Sequence, residues 1–311
     1  MLLLLLVGLA ASFLFTHWAA RRIAADYPPQ GRFALVDGAQ LHFTERAAAA
    51  PGRGAVLLIH GASGNQADLM SALGEPLAAR GFRVVAIDRP GHGWSDRPGG
   101  RADADPGRQA ALLRGAARAA GLERAIVLGH SFGGAIAARL AMDDPDFVAG
   151  LVLVAPVTHP WPGGVAWYYD LAATPILGEL FVRLLATPAG LARLESGVAS
   201  VFAPEAAPAG YVERTRVKLV LRPATFLANA IDVASLKPFI VEQARRMPVI
   251  AAPTAIVTGD ADDIVLTEIH SYGSARDIPG ATLTVLPGVG HAPHHTHPEA
   301  VVAAVEAVAA R

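Results

Sequence analysis

The chain has 311 residues, of which 52% are apolar, and a formal net charge of −1. That length holds one large α/β domain or a domain with an insertion, and the balanced charge, free of like-charge runs, argues against nucleic acid as a partner. There is no cysteine, which excludes disulfides, thiol catalysis and cysteine-ligated zinc while leaving the redox compartment open.

Residues 1–20 carry no formal side-chain charge unless His17 is protonated, and residues 2–15 are almost wholly apolar before Arg21 and Arg22 close the run. About twenty helical residues cross a bilayer's hydrocarbon core, and Trp18 stands where an interfacial aromatic belongs. A cleaved secretory signal would carry Lys or Arg ahead of the apolar run, and none is there. A core helix would need a polar face, which residues 2–6 do not offer. Residues 1–22 are therefore expected to be a single-pass membrane anchor, or an uncleaved signal, with the lipid bilayer as partner. Positive charge on the carboxyl side alone points to a cytoplasmic catalytic domain, with a periplasmic or secreted one as the alternative. Residues 23–32, with Pro28 and Pro29, read as a stiff linker.

Strand patterns at 33–36 and 41–45 flank Asp37-Gly38, a hairpin signal, and residues 47–54 read as a loop. Residues 55–59 form a continuous apolar run, the pattern of a strand covered on both faces. It ends in His60-Gly61-Ala62-Ser63-Gly64-Asn65. A glycine loop at the carboxyl end of a buried strand is where open α/β sheets place ligands. A helix near 69–80, a strand at 83–87 and a helix near 105–120 follow. Between the last two, the glycines, Pro90 and Asp96 of 88–96 make a compact turn, so His92 and Asp88 read as structural.

The apolar run 125–128 then ends in Gly129-His130-Ser131-Phe132-Gly133, and a small-residue helical pattern starts at once. Strand, sharp turn and helix are the setting in which Gly-x-Ser-x-Gly means a nucleophile elbow. Further strands are expected at 151–154, 254–258 and 282–286, with a last helix at 298–310. Counting the hairpin, this makes an eight-stranded, mostly parallel sheet with helices on both faces. Roughly ninety residues without a buried strand separate Pro156 from Pro253, too many for a loop. Helical patterns recur there around 176–185, 189–199, 212–221 and 223–233. The expected organisation is a core of 33–155 and 253–311 with a helical cap, 156–252, over Ser131. Trp161, Trp167, Tyr168 and Phe181 are the candidates for lining a pocket beneath it, with Tyr169 and Phe202 behind them.

A serine hydroxyl needs a base to take its proton and a third group to orient that base. Gly259-Asp260-Ala261-Asp262-Asp263 follows a strand directly, so the acid should come from this loop: Asp262 first, Asp263 as runner-up. Asp260 or Asp263 could instead cap the next helix. His291 stands on a glycine turn after the last strand and is the better general base. With His294, His295 and His297 it makes a histidine-rich tract. No carboxylate stands inside the tract, so no metal is expected.

With these pieces in order the chain resembles α/β-hydrolase-fold enzymes of the capped, lipase/esterase-like kind, which also include cofactor-free haloperoxidases, carbon–carbon bond hydrolases and epoxide hydrolases. His60-Gly61, residues 88–95, the 129–133 motif, Gly259-x-x-Asp262 and Gly290-His291 carry the resemblance, which runs from about residue 33 to the carboxyl terminus and leaves the anchor outside. It implies Ser131 as nucleophile, His291 as base, Asp262 as orienting acid, and the backbone amides of Ala62 and Phe132 as the oxyanion hole, with no cofactor. Dehalogenases and epoxide hydrolases of this fold attack with aspartate, and position 131 is serine, so acyl chemistry remains. The expectation is a serine esterase acting on a small-molecule, lipophilic ester, with no obligate protein partner. The alternatives are a perhydrolase or a carbon–carbon hydrolase using the same triad, and, from another class, a non-catalytic ligand-binding protein.

Overall fold

A computed structural model describes residues 1–50 and 52–311. Of the expected loop at 47–54, Pro51 lies outside the described residues. The chain opens on helix α1 (Leu2–Asp26). Strands β1 (Arg32–Val36) and β2 (Ala39–Arg46) meet across Asp37-Gly38. Both turn residues have positive φ, 50° and 80°, the twist that lets a two-residue turn close a hairpin.

Next come β3 (Ala55–Ile59), α2 (Gln66–Ala79), β4 (Arg83–Ile87), α3 (Pro106–Ala119), β5 (Ala125–His130), α4 (Phe132–Asp143) and β6 (Val148–Val154). The segment between β6 and β7 holds α5 (Trp167–Ala173), α6 (Leu177–Phe181), a π-helical turn Val182–Ala186, α7 (Thr187–Ala192), α8 (Leu194–Phe202), α9 (Tyr211–Thr215) and α10 (Pro223–Ala244). The chain closes with β7 (Thr254–Gly259), α11 (Thr267–Asp277), β8 (Thr282–Leu286), α12 (Pro293–Thr296) and α13 (Pro298–Ala309).

The eight strands lie in the order β1-β2-β4-β3-β5-β6-β7-β8. The β1–β2 and β2–β4 pairs are antiparallel and the remaining pairs parallel. The reason lies in the strands themselves: β3 through β7 are apolar on both faces and almost wholly buried, so each face needs a helical layer. One layer packs α3 and α4 with Leu57, Val85, Val127 and Leu151. The other packs α2 and α13 with Val56, Val84, Leu128 and Val152.

Two elements run further than periodicity suggested. α1 continues through Asp26, into the residues read as linker, because nothing before Pro28 breaks a helix. α10 runs to Ala244 rather than 233. Long and apolar enough to span a bilayer by composition, α10 instead buries Asp232, which pairs with Arg97 at 2.7 Å and Arg89 at 3.4 Å. That network binds the inserted helices to the core.

Candidate active site

The elbow is set by close approach. A Cβ on Gly129 would stand 2.2 Å from the Gly133 carbonyl oxygen, and one on Gly133 would stand 2.2 Å from the Ile59 carbonyl oxygen. Only glycine therefore lets α4 start so near β5 and β3. Between them Ser131 is forced to φ 52° and ψ −118°, a region that non-glycine residues avoid at a cost of about 1–3 kcal/mol. The strain is held by hydrogen bonds: Ser131 N donates to Val154 O at 3.0 Å, while Gly134 N and Val157 N donate to Ser131 O.

His291 and Asp262, 29 residues apart in sequence, meet at 2.7 Å between Nδ1 and Oδ2. Asp262 is 4% and His291 6% exposed. The other carboxylate oxygen accepts the amides of Ile264 and Val265, each at 2.9 Å. This fixes which face of the carboxylate meets the ring. An Nδ1–H donated to Asp262 leaves Nε2 as the basic nitrogen. Two further bonds seat the histidine loop. His291 N donates to Val201 O of α8, and His291 O accepts from Nε2 of His130, the residue before Ser131, at 2.9 Å. Asp263 is exposed, and Asp260 accepts Gly288 N, tying the acid loop to the turn before His291. Neither caps α11.

The loop after β3 closes on Ser131 from the other side. A Cβ on Gly61 would lie 3.1 Å from Ser131 Cβ. His60 Nδ1 donates to Gly61 O and its Nε2 accepts Arg89 N; burial, aided by the nearby Arg89 charge, lowers its pKa to about 4, so the ring stays neutral and pins the loop. Ser63, at φ 56°, donates its amide to Asn229 Oδ1 of α10 at 2.6 Å, and its hydroxyl lies 3.3 Å from Tyr169 OH of α5. Ala62 sits between these anchors, and Phe132 opens α4, where first-turn amides lack intrahelical partners. The Phe132 ring is buried under Arg89, whose guanidinium carbon stands 4.2 Å from its centroid.

Asp88 and His92 do the structural work expected of them. Asp88 is a buried staple, accepting Gln66 N and Trp94 N and facing His42 Nδ1 at 2.7 Å. His92 hydrogen-bonds Arg89.

The aromatic candidates part company. Trp167, expected beneath the inserted helices, is 68% exposed, because α5 turns Tyr169 inward instead. Tyr168 is half-buried and packs on Tyr169, ring centroids 4.4 Å apart. Phe181 fills the insertion's own cluster with Ala172, Val182 and Ala230. Trp161 packs against the core with Lys237 over its ring. Sequence reasoning missed Asn229, a polar residue inside an apolar helix with no motif around it.

It also missed Asp68. The histidine tract lacks a carboxylate in sequence, but α2 delivers one: Asp68 Oδ1 lies 2.8 Å from His295 Nε2, and Oδ2 lies 3.4 Å from His294 Nε2. Tyr211 OH donates to Oδ1 at 3.3 Å. With His130, donor atoms of Asp68 and His294 fall within 4.8 Å of one another. Burial pushes the Asp68 carboxyl up, but the two imidazoles outweigh it and hold it well below the usual carboxylate range. A separate surface cleft of about 370 Å³, lined by Gln30, Thr44, Gln66 and Arg214, holds none of Ser131, Asp262 and His291.

A family model described as alpha/beta hydrolase fold matches residues 54–298. An uncharacterized protein of Mycobacterium tuberculosis is 29% identical over 291 residues, covering 90% of this chain and 81% of that one. A 2-hydroxy-6-oxononadienedioate/2-hydroxy-6-oxononatrienedioate hydrolase of Cupriavidus pinatubonensis is 28% identical over 231 residues, covering 73% and 75%. Among solved structures, a bacterial membrane phospholipase A shares the fold with a TM-score of 0.69 at 23% identity, covering 98% of this chain and 96% of its own. At that coverage most of α1 lies within the match.

Proposed function

The chain belongs to the alpha/beta hydrolase fold family, and from that premise we propose that it is a serine hydrolase of lipophilic carboxylic esters, tethered to a membrane by α1. The observation that carries the proposal is Ser131 held at φ 52° together with a buried His291–Asp262 pair that is tied to the elbow through His130, the residue before Ser131. A serine held in a strained conformation by its neighbours on a strand-to-helix turn supports the reading of a preorganised nucleophile.

In this reading Ser131 Oγ attacks the ester carbonyl while His291 Nε2 takes its proton. Asp262 holds the ring and stabilises the imidazolium that forms. The amides of Ala62 and Phe132 receive the developing oxyanion, charge that exists only near the transition state. The tetrahedral species collapses, His291 returns the proton to the leaving alcohol, and water, activated by the same histidine, releases the acid and frees Ser131. Support for a lipophilic substrate comes from α1, whose 25 residues are long and apolar enough to cross a bilayer. Positive charge at Arg21 and Arg22 alone is consistent with a cytoplasmic catalytic domain.

A second reading, carbon–carbon bond cleavage by the same triad, is favoured by the Cupriavidus hydrolase, which spans most of both chains. A fluorophosphonate probe is expected to label the folded protein at Ser131 and not the Ser131→Ala variant. Hydrolysis of a p-nitrophenyl ester chain-length series, without turnover of a dienoic diketone, selects the ester reading. Absence of labelling overturns both.

A further inference from the structure

Helix α1 does not stand free of the catalytic domain. Ser12 donates its hydroxyl to the Leu184 carbonyl. Thr16, Ala19 and Ile23 are buried, the last against Leu219, Val220 and Leu221. Positions 12, 16, 19 and 23 form one stripe of a 3.6-residue helix. Everything else along α1 through Phe15 is apolar and exposed. A helix apolar on all sides belongs in a protein core or in lipid.

This contact has a consequence for depth. If Arg21 and Arg22 mark the end of the membrane span, Ser12 lies about two and a half turns inside it, roughly 13 Å at 1.5 Å per residue. The Leu184 carbonyl bonded to Ser12 must lie at that depth too. The chain around Leu184 is built for such a place. Ile176, Leu177, Leu180 and Leu185 are 77%, 60%, 53% and 51% exposed, and Trp167 beside them is 68% exposed. Segments Trp167–Ala173 and Leu177–Ala192 are jointly apolar enough for a membrane and bend by 116° at their junction. That junction is a strained γ-turn: Ile176 sits at φ 64°, and Leu177 N donates to Pro175 O at 2.7 Å. The segment's one charged couple, Glu179 and Arg183, pairs internally at 3.1 Å.

We infer that residues 176–185 dock into the same leaflet that receives α1, so that the site draws its esters from the bilayer. This rests on the anchored-hydrolase reading above and goes beyond it by naming a second membrane contact and the source of the substrate. The segment joins the two inserted helices that reach the site: α5, whose Tyr169 meets Ser63, and α8, whose Val201 carbonyl holds His291. A leaflet at 176–185 therefore lies against the stretch of chain that links two contacts with the site.

The chain has no cysteine, so single introduced cysteines report position without background. In liposomes of phosphatidylcholine and phosphatidylglycerol, an environment-sensitive fluorophore is placed on Leu180→Cys, on Leu5→Cys, and on Leu35→Cys, an exposed residue of β1. Labels at 180 and 5 are expected to shift to the blue and be quenched by nitroxide lipids, and the label at 35 to remain aqueous. A label at 180 as aqueous as that at 35, with position 5 quenched, overturns the docking and leaves the anchor standing. An aqueous label at position 5 overturns both. A blue shift at 180 that follows protein density rather than lipid quencher assigns the face to a second copy, and overturns it as well. With activity as readout, Leu180→Glu and Leu185→Glu together should lower hydrolysis of a vesicle-embedded long-chain ester at least tenfold while soluble p-nitrophenyl butyrate is cleaved within twofold of the parent rate. Equal loss on both substrates is a fold defect, and unchanged vesicle hydrolysis refutes the inference. If the parent protein cleaves neither ester, the esterase reading fails, and the fluorophore series still decides the docking.

Discussion

Two histidine–aspartate pairs sit close to the elbow, and they differ in what surrounds them. His291 and Asp262 meet at 2.7 Å, and the remaining carboxylate oxygen is occupied by two backbone amides. His295 and Asp68 meet at 2.8 Å, yet Asp68 is shared with His294 and the Tyr211 hydroxyl. The first carboxylate serves a single imidazole and can only orient it. The second faces two imidazoles and the Tyr211 hydroxyl and ties α2, α9 and α12 together. Distance alone does not separate the two pairs; the number of imidazoles that share each carboxylate does.

The sharpest way to break this comparison is to neutralise each acid in turn. Asp262→Asn should lower kcat by about 10⁴-fold, as loss of a triad acid does when the tautomer is no longer held. Asp68→Asn should leave kcat within about tenfold, and so should His295→Gln. Steady-state hydrolysis of one soluble ester measures all three. Equal losses at positions 262 and 68 would end the distinction. Asp263→Asn should stay within about twofold, since that carboxylate is exposed.

Stability should show the reverse order. Asp68→Asn disturbs the buried acceptor shared by His295 and Tyr211, and leaving a buried polar group unsatisfied costs about 1–3 kcal/mol. Asp262→Asn keeps one hydrogen bond to His291 and should cost less. Urea denaturation at pH 7 compares them.

Acid separates the pairs more gently. Burial lowers the His294 pKa to about 4, and burial does the same for His60 and His270. Between about 6.5 and 4 the unfolded chain binds protons at these positions and the folded chain does not, so stability falls as pH falls through that window. Each histidine contributes up to about 3 kcal/mol to this slope. Asp68, depressed in the fold, acts in the same direction at lower pH, its stabilising contribution being lost as pH falls below about 3.9. Thermal melts from pH 7.5 to 4.5 should therefore decline, and His294→Gln should flatten the curve. The smallest expected effect is that of a chelator. EDTA dialysis should leave ester hydrolysis within twofold; a larger loss would assign a metal to Asp68, His130 and His294.

Much of the fold was legible from local pattern. Buried strands announce themselves as unbroken apolar runs, and β3, β4 and β8 begin and end where the runs do. The Asp37-Gly38 turn, the elbow glycines and the acid after β7 each obey a rule spanning a few residues. Inserted helices were legible as helices and not as surfaces. Periodicity does not say which side of α5 meets the core, so Trp167 read as a pocket wall although it faces outward.

The sequence by itself determined the strand order's ingredients, the Gly-x-Ser-x-Gly elbow and the histidine and acid loops, because each depends on contacts within a short stretch of chain. Tertiary structure alone gave the histidine tract its carboxylate: Asp68 reaches His295 across 227 positions, and no spacing rule operates at that distance. It also set α1 against the insertion through Ser12 and Leu184, 172 positions apart, where packing of two apolar surfaces, not local propensity, chooses the partner.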